Sequence, residues 1–97
     1  MPDPSPNPRE VDLHGLDSQR AFRRLEQELH AAKVRGETRL LVITGRGWGN
    51  REQKPILRQK TEAWLKGPRG QALGVKSFQV TQKGGALLLM LKAPSGG

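Results

Sequence analysis

Leu40-Leu41-Val42-Ile43-Thr44-Gly45-Arg46-Gly47-Trp48-Gly49, residues 40–49, joins an unbroken apolar run to a loop with glycine at every second position. Four consecutive apolar residues suit a strand buried on both faces, the habit of parallel strands inside α/β sheets. Upstream, Val11-Asp12-Leu13-His14 alternates, with Val11 and Leu13 on one side and Asp12 and His14 on the other, as a strand's period of two requires. Between the two runs, Asp17 or Ser18 offers an N-cap. Phe22, Leu25, Leu29 and Ala32 then recur at three- and four-residue spacing up to Gly36, a helix stop. Strand, helix, strand in that order predicts a right-handed parallel crossover.

Downstream, Pro55 fits the first turn of a second helix, striped by Leu57, Thr61, Trp64 and Leu65 and ended by Gly67-Pro68. Val75 to Val80 and Ala86 to Leu91 read as two strands joined by Gln82-Lys83-Gly84-Gly85 in a hairpin. The expected fold is α/β: a two-layer βαβαββ sandwich of a four-stranded mixed sheet and two helices, with strand order left open.

Residues 1–8, with prolines at 2, 4, 6 and 8, read as a flexible leader, residues 9–92 as one domain, and residues 93–97 as a flexible tail. With 97 residues, 34% of them apolar, there is material for a single small core. The absence of cysteine excludes disulfides and thiolate metal sites, and two histidines are too few for a structural zinc site. No apolar run approaches the roughly 20 residues of a membrane span, and no signal-peptide core opens the chain, so a cytoplasmic protein without a membrane partner is expected.

Seventeen Lys and Arg against nine Asp and Glu give a net charge of +8, which favours polyanionic partners. The excess is centred on residues 33–60, which hold Arg46, Arg51, Lys54 and Arg58 around the glycine-rich loop. Ligands of open α/β sheets gather beyond the carboxyl ends of parallel strands, where loops lead into helix N-termini. His14-Gly15 and Thr44-Gly45-Arg46-Gly47 both stand at such ends. Arg46 can grip two phosphate oxygens at once, and backbone at Gly45 and Gly47 can approach a ligand closely.

The loop is neither a P-loop, since no Gly-Lys-Ser/Thr follows, nor a dinucleotide fingerprint, so no nucleotide cofactor is expected. His14 can move a proton near neutral pH, and Asp12 shares its side of the strand. Trp48, among Arg46, Asn50 and Arg51, suits either stacking on an exposed base or plugging the core; Trp64 suits the core.

These landmarks in this order resemble the Smr domain, the small MutS-related domain found alone and at the C-terminus of MutS2-type proteins. The resemblance spans about residues 10 to 92. It rests on Val11-Asp12-Leu13-His14-Gly15, the helix end Ala31-Ala32-Lys33-Val34-Arg35-Gly36, Leu41-Val42-Ile43-Thr44-Gly45-Arg46-Gly47, Leu57-Arg58 with Trp64-Leu65, and Gly84-Gly85-Ala86. It implies a fold like the C-terminal domain of translation initiation factor 3, nucleic-acid binding and, as in several members, endonuclease activity on DNA or RNA.

The family's motif residues map to Asp12, Leu13, His14 and Gly15, and to Thr44, Gly45, Arg46 and Gly47. Thr44 stands where many members carry histidine, and Gly84-Gly85-Ala86 where many carry Gly-Gly-x-Gly-Ala, so binding is better supported than cleavage. The expected catalytic set is His14, Asp12 and Arg46. The expected nucleic-acid contacts are Gly15, Thr44, Gly45, Gly47, Trp48, Arg51, Lys54 and Arg58. No cofactor is required; a divalent metal would take Asp12 as its first ligand. The alternatives are a non-catalytic nucleic-acid- or ribosome-binding module and, behind it, a domain docking on an acidic protein.

Overall fold

The computed structural model describes residues 8–45, 56–81 and 84–92. The elements are β1 (Arg9–Asp12), α1 (Ser18–Arg35), β2 (Arg39–Ile43), α2 (Ile56–Lys66), α3 (Pro68–Ala72), β3 (Val75–Thr81) and β4 (Ala86–Leu91). The expected leader over 1–7, the tail over 93–97 and Gln82-Lys83 of the hairpin turn lie outside the described residues.

The sheet has the order β1-β2-β4-β3. β1 pairs parallel with β2, while β4 runs antiparallel to both β2 and β3. In register, Asp12 faces Ile43 and Ile43 faces Ala86, so the carboxyl ends of β1 and β2 and the start of β4 share one end of the sheet. Arg9 and Leu91 lie toward the opposite end.

α1 begins where the Asp17 carboxylate accepts from the Arg20 amide at 2.8 Å. It ends in a Schellman cap, with Gly36 N–H donating to Lys33 at 3.3 Å and Glu37 N–H to Ala32 at 2.9 Å. Its buried stripe is Ala21, Leu25, Leu29 and Ala32. Phe22, expected on that stripe, sits at its edge, half-buried and stacked on Trp64 with ring centroids 5.8 Å apart. Leu65 and Thr61 of α2 are fully buried, the Thr61 hydroxyl donating to the Leu57 carbonyl at 2.7 Å. The core they close is built on Val11, Leu13, Leu40, Val42, Leu87, Leu89 and Leu91.

Three local expectations change. The run 40–43 is buried on one face only: Leu40 and Val42 are sealed, whereas Leu41 and Ile43 are half-buried. Gly67-Pro68 ends α2 but also starts α3, because proline's fixed φ and missing N–H suit a first helical turn as well as they break a helix interior. The first strand stops at Asp12 rather than His14, because the Asp12 carboxylate takes the His14 amide at 3.0 Å and diverts the backbone into a turn.

Arg9 ties β1 to α1 and to the segment that follows it. Its guanidinium reaches the Glu37 carboxylate after α1 at 2.9–3.2 Å, the Glu28 carbonyl on α1 at 3.4 Å and the Glu28 carboxylate. Glu28 also accepts from Arg24 Nε at 2.8 Å. These partners hold the Glu28 carboxyl below the usual carboxylate range, the Arg9 hydrogen bond contributing most, and the same contacts, led by Glu37, raise the Arg9 pKa.

Candidate nucleic-acid site at the strand ends

Beyond Asp12 the chain makes one tight turn before α1. Leu13 is fully buried and its amide still donates to Ile43 at 2.7 Å, so it anchors the turn to the sheet. Leu16 N–H closes back on the Leu13 carbonyl at 3.2 Å. Gly15 lies between them with φ +80°, a conformation glycine adopts without steric cost. His14 is thereby lifted into solvent on a rigid stem, with its side chain 67% exposed.

The Asp12 carboxylate holds both halves of His14: its Oδ1 accepts the backbone amide at 3.0 Å and lies 2.5 Å from the ring Nδ1. Asp12 is held below the usual carboxylate range, first by the hydrogen bond to the His14 ring, which with the weaker help of the His14 amide and the charges of His14 and Arg24 outweighs the opposing effect of burial. An anionic Asp12 assigns a ring proton to Nδ1, and in the neutral form of the imidazole Nε2 is then the acceptor. Nε2 has no partner among the described residues.

The second loop starts beside this turn. A Cβ added to Gly45 would lie 3.4 Å from the His14 Cβ, so the backbone there runs beside the histidine, with room for no more than an ordinary contact. Thr44 is 95% buried, and its hydroxyl lies 3.4 Å from the Gly45 carbonyl. The Thr44 and Gly45 amides both donate to the Gly85 carbonyl at 3.0 Å, which ties the end of β2 to the entry of β4. The Gly45 amide, expected to hold a phosphate, is therefore committed to the protein. Gly45 serves the site as a wall against His14.

Of the sequence-predicted residues, Asp12, His14, Gly15, Thr44 and Gly45 converge. Arg46, Gly47, Trp48, Arg51 and Lys54 lie outside the described residues. Arg58, expected as a nucleic-acid contact, is bound into the protein: its Nη1 donates to the Gly84 carbonyl at 3.2 Å and its Nε lies 3.3 Å from Glu62 Oε2. Gly85 was missed as a site residue. Its carbonyl organises the loop through backbone alone, which leaves no mark on residue type.

Among the described residues, no three His, Asp or Glu side chains converge as a metal cage, and no helix is long and apolar enough to cross a membrane.

The Smr domain model matches residues 11–92. The crystal structure of the Smr domain of Thermus thermophilus MutS2 is similar at a TM-score of 0.65 and 29% identity, over 87% of this chain and 98% of that one. The solution structure of the B3BP Smr domain is similar at 0.56 and 30%, over 86% of this chain and 77% of that one. No curated protein sequence matched significantly. With the family model matched over residues 11–92 and both Smr domain structures similar in fold, the chain belongs to the Smr domain family, a family of nucleic-acid-binding domains.

Proposed function

We propose that this domain binds nucleic acid across the ends of β1 and β2 and cleaves a phosphodiester bond there, with RNA as the preferred substrate. The observation that carries this reading is the Asp12–His14 pair, which presents an imidazole with its Nδ1 proton fixed on an anionic partner and its Nε2 open to solvent. A base so oriented can take the proton of a ribose 2′-hydroxyl. The 2′-oxygen then bonds to phosphorus, the bond to the 5′-oxygen breaks, and water supplies the proton to that leaving oxygen. The products are a 2′,3′-cyclic phosphate and a 5′-hydroxyl.

Arg46, next in sequence after Gly45, neutralises the phosphate and the charge that develops on it. No cofactor is required. Asp12 is the carboxylate at hand for a divalent ion. The domain acts in the cytoplasm, and its net charge of +8 supports a polyanionic partner.

A second reading, a non-catalytic module for nucleic acid or a ribosomal surface, is favoured by Thr44. A sealed threonine stands where a second histidine would complete an acid–base pair. The deciding experiment is cleavage and binding of end-labelled single- and double-stranded RNA and DNA by wild type, His14→Ala and Arg46→Ala, with and without chelator. Cutting by wild type with binding but no cutting by His14→Ala supports the nuclease. Three inert proteins, with salt-dependent binding lost only in Arg46→Ala, support the module. Products ending in 3′-hydroxyls overturn the cyclic-phosphate route.

A further inference from the structure

Arg58 lies in the first turn of α2, away from the His14 turn in sequence, yet its contacts lead straight to it. Its side chain is 21% exposed and that of Glu62, one helical turn on, 24%. The Arg58 Nε is buried without an aligned hydrogen bond, held instead by the charge of Glu62 at 3.3 Å. The other end of the guanidinium donates to the Gly84 carbonyl at 3.2 Å. Gly84 has φ +92°, and a Cβ there would fall 2.5 Å from Arg58 Nη1, so the missing side chain is the seat of the guanidinium. The next residue, Gly85, supplies the carbonyl that takes both the Thr44 and Gly45 amides, and Gly45 abuts His14.

We infer that Arg58 is a positioning residue: braced by Glu62, it holds the Gly84-Gly85 turn so that the Gly85 carbonyl fixes the Thr44-Gly45 backbone against His14. A guanidinium spent in this way is not a phosphate contact. The relevance to catalysis rests on the nuclease reading above, but the positioning itself does not. Lysine is a poor substitute, since a single ammonium cannot reach a carbonyl and a carboxylate in the fixed fork of a guanidinium.

The test compares wild type with Arg58→Lys and Arg58→Met in the full chain. The readouts are amide hydrogen exchange at Thr44 and Gly45 relative to Val42, the salt dependence of binding to a single-stranded RNA oligonucleotide, and the cleavage kcat and KM. The expected result is exchange at least tenfold faster at residues 44 and 45 in both variants. The slope of log affinity against log salt should be unchanged, and kcat tenfold lower at near-constant KM.

Unchanged exchange overturns the inference, whatever cleavage does. A salt slope reduced by about one in Arg58→Met and restored in Arg58→Lys also overturns it, because that is the signature of a direct phosphate contact. Should wild type neither bind nor cut, the functional reading fails alone and exchange still decides the role of Arg58. Glu62→Gln, which unbraces the guanidinium without removing it, gives the same exchange test if Arg58→Met does not fold.

Discussion

The two ends of β1 each carry an ion pair, and they are built in opposite ways. At the amino end, Arg9 with Glu28 and Glu37 has side chains only 26%, 17% and 16% exposed, and the guanidinium spans three carboxylate and carbonyl partners across two elements. At the carboxyl end, Asp12 and His14 are 54% and 67% exposed, two residues apart, and leave a ring nitrogen open. The first arrangement removes charge from water and repays the removal with several hydrogen bonds, which is how a half-buried cluster comes to hold a fold together. The second gains little stability, because solvent screens it, and retains a group able to react. One four-residue strand therefore separates a half-buried, cohesive ion pair from a solvent-exposed one by about 10 Å of chain.

The strongest way to break this contrast is at His14. His14→Ala is expected to lower the cleavage rate by about 10²–10⁴-fold while leaving stability within about 0.5 kcal/mol, read by single-turnover kinetics and denaturant unfolding. A large loss of stability would mean that the exposed pair is structural after all. Asp12→Asn keeps an oxygen for the His14 amide but no longer holds the ring proton on Nδ1. Cleavage should fall by about 10–100-fold with binding intact, and wild-type rates would remove the orienting role of Asp12.

At the other end the effects belong in stability. Glu28→Gln should cost about 1–2 kcal/mol at pH 7 and leave cleavage by the folded protein unaltered. The carboxyl of Glu28 sits below its ordinary value of 4.5, so its contribution is fully present above that pH and is lost as pH falls through the lower, folded value. The difference in unfolding free energy between wild type and Glu28→Gln should therefore close in acid; a constant difference from pH 7 to pH 3 would contradict the ion-pair account.

The smallest effect is expected at Arg24, which touches both ends: it pairs with Glu28 at 2.8 Å, and its charge helps hold Asp12 low. Arg24→Gln should reduce stability by about 0.3–0.5 kcal/mol and let the Asp12 carboxyl titrate slightly higher, seen by carboxyl NMR.

The sheet's strands, the crossover helix and the placing of Asp12 and His14 at the end of β1 were legible because each rests on local spacing: alternation at 11–14, a helical stripe at 22–32, an apolar run at 40–43. The turn that ends the strand at Asp12 was not, because it depends on a side-chain bond to the His14 amide. Helix α3 escaped because Pro68 was read only as a terminator, whereas the same ring starts a helix as well as it ends one. The cohesive Arg9 cluster escaped because its partners stand 19 and 28 residues away and only tertiary structure brings them together. The intramolecular partners of Arg58 escaped for the same reason: Glu62 is one helical turn away, but the Gly84 carbonyl is 26 residues distant and carries no mark in residue type. Gly85 acts by a backbone oxygen that every residue possesses, so no sequence pattern marks it.

The strand directions have a practical corollary. β1 runs toward the His14 turn and β4 runs away from it, on either side of β2, so the chain enters β1 and leaves β4 at the end of the sheet remote from that turn, about 10 Å apart. The described residues therefore begin and end on the side of the sheet away from the His14 turn. A bead, a dye or a neighbouring domain coupled at Arg9 or Lys92 would sit on the side opposite that turn.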